Sequence, residues 1–266
     1  MQVVLIAGAL SGIGRATALA FARNGARLVV SGRRDDAGNA LAVELRGLGA
    51  QAEFQRADVS QEKDVRNLID RAVSEFGQLD VAVNSAGTEG ARGPITEQSP
   101  ETFSEAFDTN VLGTLLAMKH ELRVMQKQRS GSIINISSTL GQRTAPGAAL
   151  YAASKHAVEG LTKTAALEAA PFNVRVNAVA PGPVETELLN RFTGNAETKA
   201  ALIAGVPLKR AARPDEIAQA IIFWHPITRR SLPVTFLEST AVKWPEVGPK
   251  NQPRNRLVSF IWQAGK

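Results

Sequence analysis

Short apolar runs alternate with longer segments of helical period over the first 223 residues of the chain. The predicted strands are VVLIA (3–7), ARLVVS (26–31), QAEFQ (51–55), LDVAVNSAG (79–87), SIINIS (132–137) and VRVNAVAP (174–181). The predicted helices cover residues 12–24, 36–48, 61–76, 100–128 and 149–169. Strands that alternate with helices at these spacings form right-handed βαβ units. The pattern therefore predicts an α/β fold, a Rossmann-type doubly wound parallel sheet in a single domain over residues 1–223.

Length and composition fit one large domain in an aqueous compartment. The 266 residues are 44% apolar, and no apolar run approaches the roughly 18–20 residues of a membrane span. The first strand begins without a charged leader, so we expect a cytoplasmic protein with no membrane partner. Because the chain has no cysteine and only three histidines, we predict neither disulfides nor a metal site.

The net charge of +6 would suit a nucleic-acid partner, but its distribution along the chain does not. Residues 224–266 hold seven Lys or Arg and two Asp or Glu, a net of +5, which leaves about +1 for the first 223 residues. The same segment contains all three tryptophans and five of the thirteen prolines. It lacks an aromatic platform on a strand surface. We therefore predict no nucleic-acid partner and regard residues 224–266 as an atypical C-terminal tail.

A glycine-rich turn follows the first strand and opens directly into a helix. It reads AGALSGIG, with glycines at positions 8, 12 and 14. Gly8 permits a sharp turn, while Gly12 and Gly14 let the backbone approach a pyrophosphate and the helix pack on the sheet. The helix N-terminus adds free N–H groups and a positive dipole. Many strand–helix turns need glycine for other reasons, but a phosphate-loop NTPase is disfavoured because no Gly-Lys-Ser/Thr follows.

The end of the second strand bears on which dinucleotide is bound. An NAD site usually has an acidic residue there for the ribose 2′-hydroxyl, whereas this chain has Ser31-Gly32-Arg33-Arg34. An arginine fork suits a 2′-phosphate, so the segment favours NADP(H) over NAD(H). The alternative is a solvated arginine pair in a loop.

Tyr151 and Lys155 lie one helical turn apart, and Ser138 precedes Tyr151 by thirteen residues at the end of an apolar run. An ammonium fixed beside a phenol is expected to lower the pKa of the phenol towards neutrality. A general acid, its tuning cation and a hydroxyl donor are three parts of a carbonyl-reducing site. The pair alone also fits a Tyr and a Lys that merely share a helix.

Taken together, the motifs resemble the short-chain dehydrogenase/reductase family over roughly residues 2–223. The resemblance rests on motifs in the family's order and spacing: the glycine-rich turn, Asp58-Val59, Asn84-Ser85-Ala86-Gly87, Asn110, Ser138, Tyr151 with Lys155, and PGPVET at 181–186. Two departures, Ala7 for the usual Thr and Ser85 for the usual second Asn, remove hydrogen bonds between strands but no catalytic group.

The resemblance implies an oxidoreductase that transfers a hydride between NADP(H) and a small carbonyl or alcohol substrate, with Tyr151 as general acid/base. The implied catalytic residues are Asn110, which would hold a proton-relaying water, together with Ser138, Tyr151 and Lys155. The implied cofactor-binding residues are Gly8, Ser11, Gly12, Ile13, Gly14, Arg33, Arg34, Asp58, Val59, Asn84, Ala86, Gly87, Tyr151, Lys155, Pro181, Gly182, Val184 and Thr186.

The resemblance also implies a homo-oligomer, a dimer or tetramer, because helices beside the active site often pair in this family. The alternative function is a non-catalytic dinucleotide-binding regulator, or a variant made inactive by its tail. The segment 185–213 is expected to cover the substrate. Its apolar residues Leu188, Leu189, Phe192, Ile203 and Val206 favour an apolar substrate.

The tail departs from the family at about residue 223. We infer a frameshift, because codons permitted for residues 224–245, read from the third base of each, can spell ASDHATFVTGNILRVDGGQVA, which has the form of the family's ending. The alternative is a genuine divergent extension. Either way the family's last strand is expected to be lost or replaced, since Pro226 and Pro233 fit poorly in a central strand.

Overall fold

A computed structural model, which describes residues 1–224 and 236–238, contains one sheet in which each strand runs parallel to its neighbours. Its strands are β1 (Val3–Ala7), β2 (Arg27–Gly32), β3 (Ala52–Arg56), β4 (Val81–Asn84), β5 (Gly131–Ile136), β6 (Val174–Ala180) and β7 (Phe236–Glu238). They lie in the order β3-β2-β1-β4-β5-β6-β7. The strand order reverses between β1 and β4, which is where ligands bind in doubly wound sheets.

Helices cover both faces of this sheet. They are α1 (Gly12–Arg23), α2 (Asp35–Gly47), α3 (Glu62–Phe76), α4 (Pro100–Phe107), α5 (Gly113–Gln128), α6 (Ala149–Ala169), α7 (Glu187–Thr193), α8 (Ala196–Ala204) and α9 (Pro214–Trp224). One buried cluster joins α1, α2 and α9 to the sheet, and a second joins α3, α5 and α6 to its other face. The predicted single-domain, doubly wound fold is therefore confirmed.

The strand and helix boundaries follow from the local sequence. Every residue of β1 and of β4 is buried, as expected of central parallel strands read as continuous apolar runs. Gly25 follows α1 with a φ of +74°, the left-handed conformation that glycine adopts without steric cost. The sequence predictions for these elements were correct to within a few residues.

The predicted helix over 100–128 is interrupted. Helix α4 begins with a capping box between Ser99 and Thr102 and has Pro100 in its first turn. A π-helical turn, Asp108–Leu112, then separates it from α5. Such turns are rare and occur frequently at functional sites. Asn110, a predicted catalytic residue, is in this turn.

A short strand is present in the tail, where the resemblance led us to expect a last strand that is lost or replaced. Residues Phe236–Glu238 pair with Ala178–Ala180 of β6 as a short parallel edge strand. Pro226 and Pro233, on which the sequence argument rested, lie outside the described residues. The division of the chain into residues 1–223 and 224–266 stays a prediction. In the part of the chain that the structure describes, no helix has the length and apolar character needed to cross a membrane.

Candidate active site

A cleft of about 1000 Å³ opens at the carboxyl ends of β1, β4, β5 and β6. Strands that are parallel end on the same edge, so the turns that follow them meet there. Most of the residues predicted for the site line this one cleft: Gly8, Ser11, Gly12, Ile13, Arg33, Arg34, Asp58, Val59, Ala86, Gly87, Ser138, Tyr151, Lys155, Pro181, Gly182, Val184 and Thr186.

The glycine-rich turn is held by close backbone contacts. Gly8 has a φ of +79°, and a Cβ there would lie 2.5 Å from the Ala86 nitrogen. A Cβ on Gly14 would lie 2.1 Å from the Gly8 carbonyl oxygen, so Gly14 allows α1 to pack against the turn and is not part of the cleft lining. Gly12 also has a positive φ, +52°, and lies beside Thr186.

This turn fits the phosphates of a dinucleotide. Ser11 is the N-cap residue of α1, yet its side chain makes no capping hydrogen bond. The backbone N–H groups of the first turn therefore have no partner from that side chain, and the helix dipole favours an anion there.

The end of β2 has no room for an acidic side chain in the present arrangement. A Cβ on Gly32 would lie 2.5 Å from Cδ1 and Cγ of Leu10. Arg33 and Arg34 are exposed and line the same end of the cleft. Their guanidinium groups can bind an anionic group at this end of the cleft.

Ser138, Tyr151 and Lys155 converge at the other end of the cleft. Tyr151 and Lys155 share one face of α6, and Lys155 Nζ lies 5.7 Å from the centroid of the Tyr151 ring. The Ser138 hydroxyl is close enough to the Tyr151 phenol to lower its pKa. Lys155 Nζ donates to the carbonyl oxygen of Ile136, at 2.8 Å, so the end of β5 fixes the ammonium.

The expectation of a lowered phenol pKa was wrong for the protein alone. Burial raises the pKa of Tyr151 to about 12; the Ser138 hydroxyl opposes this rise, and the nearby Glu89 carboxylate adds to it by a smaller amount. Burial also lowers the pKa of Lys155 to about 8, because the ammonium is removed from water. The ammonium is directed at the Ile136 carbonyl rather than at the phenol oxygen, which explains why it does not offset burial.

Asn110 lies next to the cleft but does not line it. It is 1% exposed, and its amide group exchanges two hydrogen bonds with the backbone of Thr88, with Oδ1 accepting at 2.8 Å and Nδ2 donating at 2.9 Å. Nδ2 also donates to Ser154 Oγ at 2.9 Å. Asn110 thus ties the turn after β4 to α6, the helix of Tyr151. Its role towards a water molecule remains a prediction.

Asn84 also lies behind the cleft, in a buried polar network that the sequence did not lead us to expect. Its Nδ2 donates to Asn135 Oδ1 at 2.9 Å and to Glu121 Oε2 at 3.1 Å, and Asn135 Nδ2 donates to Thr162 Oγ1 at 2.9 Å. Glu121 is fully buried, and burial raises its pKa to about 8. The sequence does contain a pattern that predicts the burial of Glu121. It lies three residues after Met118 and four before Met125, a spacing that puts all three on the buried face of α5.

The end of the cleft beside Tyr151 contains several large apolar side chains. Its lining includes Leu140, Leu188, Leu189, Phe192 and Leu202. Of the residues expected to cover the substrate, Ile203 and Val206 are not part of this lining, and Val206 is fully buried. Arg143, which no sequence motif singled out, is exposed at the same end. The residues that the structure describes contain no cluster of three metal-binding side chains.

Comparison with known proteins places the chain in a family. A sequence profile described as Enoyl-(Acyl carrier protein) reductase matches residues 8–225. The chain is 39% identical, over 222 residues, to the cis-4-hydroxycyclohexanecarboxylate dehydrogenase of Sinomonas cyclohexanicum, which covers 84% of this chain and 88% of that protein. The matched profile ends where the composition of the chain changes.

Two solved structures are similar over nearly their whole length. The structure of ElxO with NADP bound has a TM-score of 0.83 at 33% identity and covers 90% of this chain and 98% of ElxO. The NAD⁺-bound xylitol dehydrogenase has a TM-score of 0.83 at 30% identity and covers 89% of this chain and 96% of that one. Fold, site and relatives together define an oxidoreductase of the dinucleotide-binding α/β type. The chain belongs to the short-chain dehydrogenase/reductase family, as its motifs predicted.

Proposed function

We propose that this protein reversibly reduces a small apolar ketone to a secondary alcohol with NADP(H) as the hydride carrier. The observation that carries this proposal is the convergence of Ser138, Tyr151 and Lys155 in the same cleft as the glycine-rich turn. When bound, the cofactor supplies a hydride to the carbonyl carbon, and the proton must come from the protein.

Tyr151 is the proton donor in this proposal. Its raised pKa keeps the phenol protonated at neutral pH, which suits a general acid in the reductive direction. The Ser138 hydroxyl, which lies close enough to Tyr151 to lower its pKa, would bind the same substrate oxygen as negative charge develops on it. Lys155 supplies a positive charge in the buried site and a donor for the cofactor ribose.

The preference for NADP(H) rests on Gly32, Arg33 and Arg34. The two similar structures bind different cofactors, NADP in ElxO and NAD⁺ in the xylitol dehydrogenase, so family membership alone does not select one. The exposed arginine side chains at the end of β2 support NADP(H) in this chain.

The proposed substrate is alicyclic or otherwise apolar beside its carbonyl group. The leucine and phenylalanine side chains of the cleft support this class, and so does the name of the relative that acts on a hydroxycyclohexanecarboxylate. A cytoplasmic location and a homo-oligomeric state remain predictions from the sequence.

Replacing Tyr151 by Phe tests the proposal. Removing the proton donor should lower kcat for cyclic ketones by roughly 10²–10⁴-fold. Cofactor affinity, measured by NADPH fluorescence, should stay within about twofold, because the ring remains and only the hydroxyl is lost. Turnover by Tyr151→Phe equal to the parent's would refute the assignment. NADPH binding without turnover in the parent protein would favour the non-catalytic regulator instead.

A further inference from the structure

Two arginine side chains connect α7 to the loop that follows β4. The Arg191 guanidinium on α7 forms a two-pronged ion pair with Glu89, with Nη2 2.9 Å from Oε2. Arg92, three residues after Glu89, makes the second connection. The paired segments are about a hundred residues apart in the sequence.

The Arg92 guanidinium contacts three residues, Phe192, Pro146 and Gly147. Its Nη1 donates to the Phe192 carbonyl oxygen, and its guanidinium carbon lies 4.4 Å from the centroid of the Phe192 ring. Its Nε and Nη2 approach the carbonyl oxygens of Gly147 and Pro146 at 3.5 and 3.4 Å. Because Pro146 and Gly147 lie just before α6, Arg92 connects α7 to the start of the helix that carries Tyr151.

The contact with Phe192 bears directly on the active site. The Phe192 ring lies 5.8 Å, centroid to centroid, from the Tyr151 ring and is tilted 57° to it. Both rings line the cleft. The position of the Phe192 ring therefore limits the space beside the proton donor, where the substrate carbonyl must lie.

We propose that Arg92 is a positioning residue that determines substrate size selectivity by holding the Phe192 ring beside Tyr151. This inference rests on the proposed ketone reductase function. Arg92 acts on the substrate only through Phe192. A lysine could place its charge over the ring but could not contact the three carbonyl groups together, because an ammonium lacks the planar fork of a guanidinium.

The kinetic test compares Arg92→Ala, Arg92→Lys, Phe192→Ala and the double variant Arg92→Ala/Phe192→Ala. Arg123→Ala is the matched control, because Arg123 is exposed on α5 and does not line the cleft. We expect Arg92→Ala to raise KM for cyclohexanone about tenfold, with kcat and NADPH affinity changed less than about threefold. Lysine should recover less than half of the loss.

Two further kinetic results distinguish positioning from a general loss of stability. The double variant should have the same KM as Phe192→Ala within about twofold, because Arg92 acts through that ring. Both alanine single variants should favour a bicyclic ketone such as decalone over cyclohexanone, with the ratio of the kcat/KM values for these two ketones rising about tenfold, since the Phe192 ring beside Tyr151 is released in Arg92→Ala and absent in Phe192→Ala. Effects that multiply in the double variant, or an unchanged size selectivity, would overturn the proposal.

A second measurement does not depend on turnover. Amide hydrogen exchange over residues 187–194 should be about tenfold faster in Arg92→Ala than in the parent and unchanged in Arg123→Ala. If the parent reduces no ketone but shows this difference, the reductase function fails while the anchoring of α7 stands. If exchange is the same in all three proteins, the anchoring itself is wrong.

Discussion

The proposed preference for NADP(H) depends on a few side chains at the end of β2. Arg33 offers a planar set of donors to a 2′-phosphate, and a charge-assisted bidentate contact is worth about 1.5–3 kcal/mol. We therefore expect Arg33→Ala to weaken NADPH binding about 10–100-fold and to change NADH binding less than about threefold. Parallel fluorescence titrations with the two cofactors measure this.

A substitution at Gly32 should shift the cofactor preference the other way, from NADPH towards NADH. Gly32→Asp would introduce the carboxylate that binds a ribose hydroxyl in NAD sites. Leu10 must rotate, because the new Cβ would lie 2.5 Å from its side chain. We expect the preference to shift towards NADH. If Arg33→Ala weakened the binding of NADPH and NADH equally, Arg33 would bind a phosphate that both cofactors share and would not recognise the 2′-phosphate.

Glu121 should make the stability of the protein depend on pH. Burial raises its pKa from 4.5 to about 8, so the folded protein keeps a proton that the unfolded chain releases. The stability from this group is complete below pH 4.5 and is lost as pH rises through 8. The free energy of unfolding should fall by up to about 1.4 kcal/mol per pH unit within that range.

Glu121→Gln provides the measurement. The amide has the same shape and no titratable proton, so the difference in unfolding free energy between variant and parent should change steadily between about pH 5 and pH 8 as the parent loses the stability that depends on Glu121. Glu159, whose pKa burial also raises, is present in both proteins and cancels in this difference. Urea unfolding at several pH values measures this difference. If it stays constant from about pH 5 to pH 8, Glu121 is ionised in the folded state as it is in the unfolded chain.

The turn between β1 and α1 has no space for a side chain at Gly8. Gly8→Ala places a Cβ against the Ala86 backbone and forces an L-residue to a φ of +79°. We expect the free energy of unfolding to fall by about 2–4 kcal/mol and NADPH binding to weaken, because the turn must shift. Thermal unfolding with and without NADPH measures both effects.

Gly160→Ala is the matched control for that substitution. Gly160 is exposed within α6, and a Cβ there meets nothing within 4 Å. Because alanine is the better helix former, we expect this variant to be about 0.5–1 kcal/mol more stable than the parent. Equal destabilisation by both alanines would show that the close contact at Gly8 is not the cause.

The sequence predicts what depends on neighbouring residues and misses what depends on tertiary contacts. The strands, the glycine-rich turn and the i, i+4 pair of Tyr151 and Lys155 have local signals, and the structure brings them together. The π-helical turn around Asn110 has no propensity signal and is accompanied by contacts to Thr88 and Ser154. The contact of Arg92 with Phe192 crosses a hundred residues, so no local pattern could indicate it.

At the scale of the whole molecule, exposed apolar side chains are candidates for the contacts of the predicted homo-oligomer. Leu112 and Leu115 are 37% and 43% exposed near the start of α5, and Leu167 of α6 is 67% exposed. Exposed apolar side chains on neighbouring elements are typical of protein contacts, although single ones are common on any surface. The oligomeric state therefore stays a prediction, and light scattering of the purified chain measures it.

The tail gives the last prediction for the whole protein. In the part of the chain that the structure describes, three tail residues, Phe236–Glu238, pair with β6 as its outer neighbour, whereas the alternative reading frame supplies the longer strand-like run NILRVDGG. Replacing residues 224–266 by ASDHATFVTGNILRVDGGQVA should therefore extend the strand pairing along β6. We expect stability to rise by about 2 kcal/mol and Tm by roughly 5 °C. A chain ending at Trp224 is the control and should be the least stable of the three. If the replaced chain melts no higher than the 266-residue protein, the present tail serves as well as the family's ending, and a genuine extension is the better explanation.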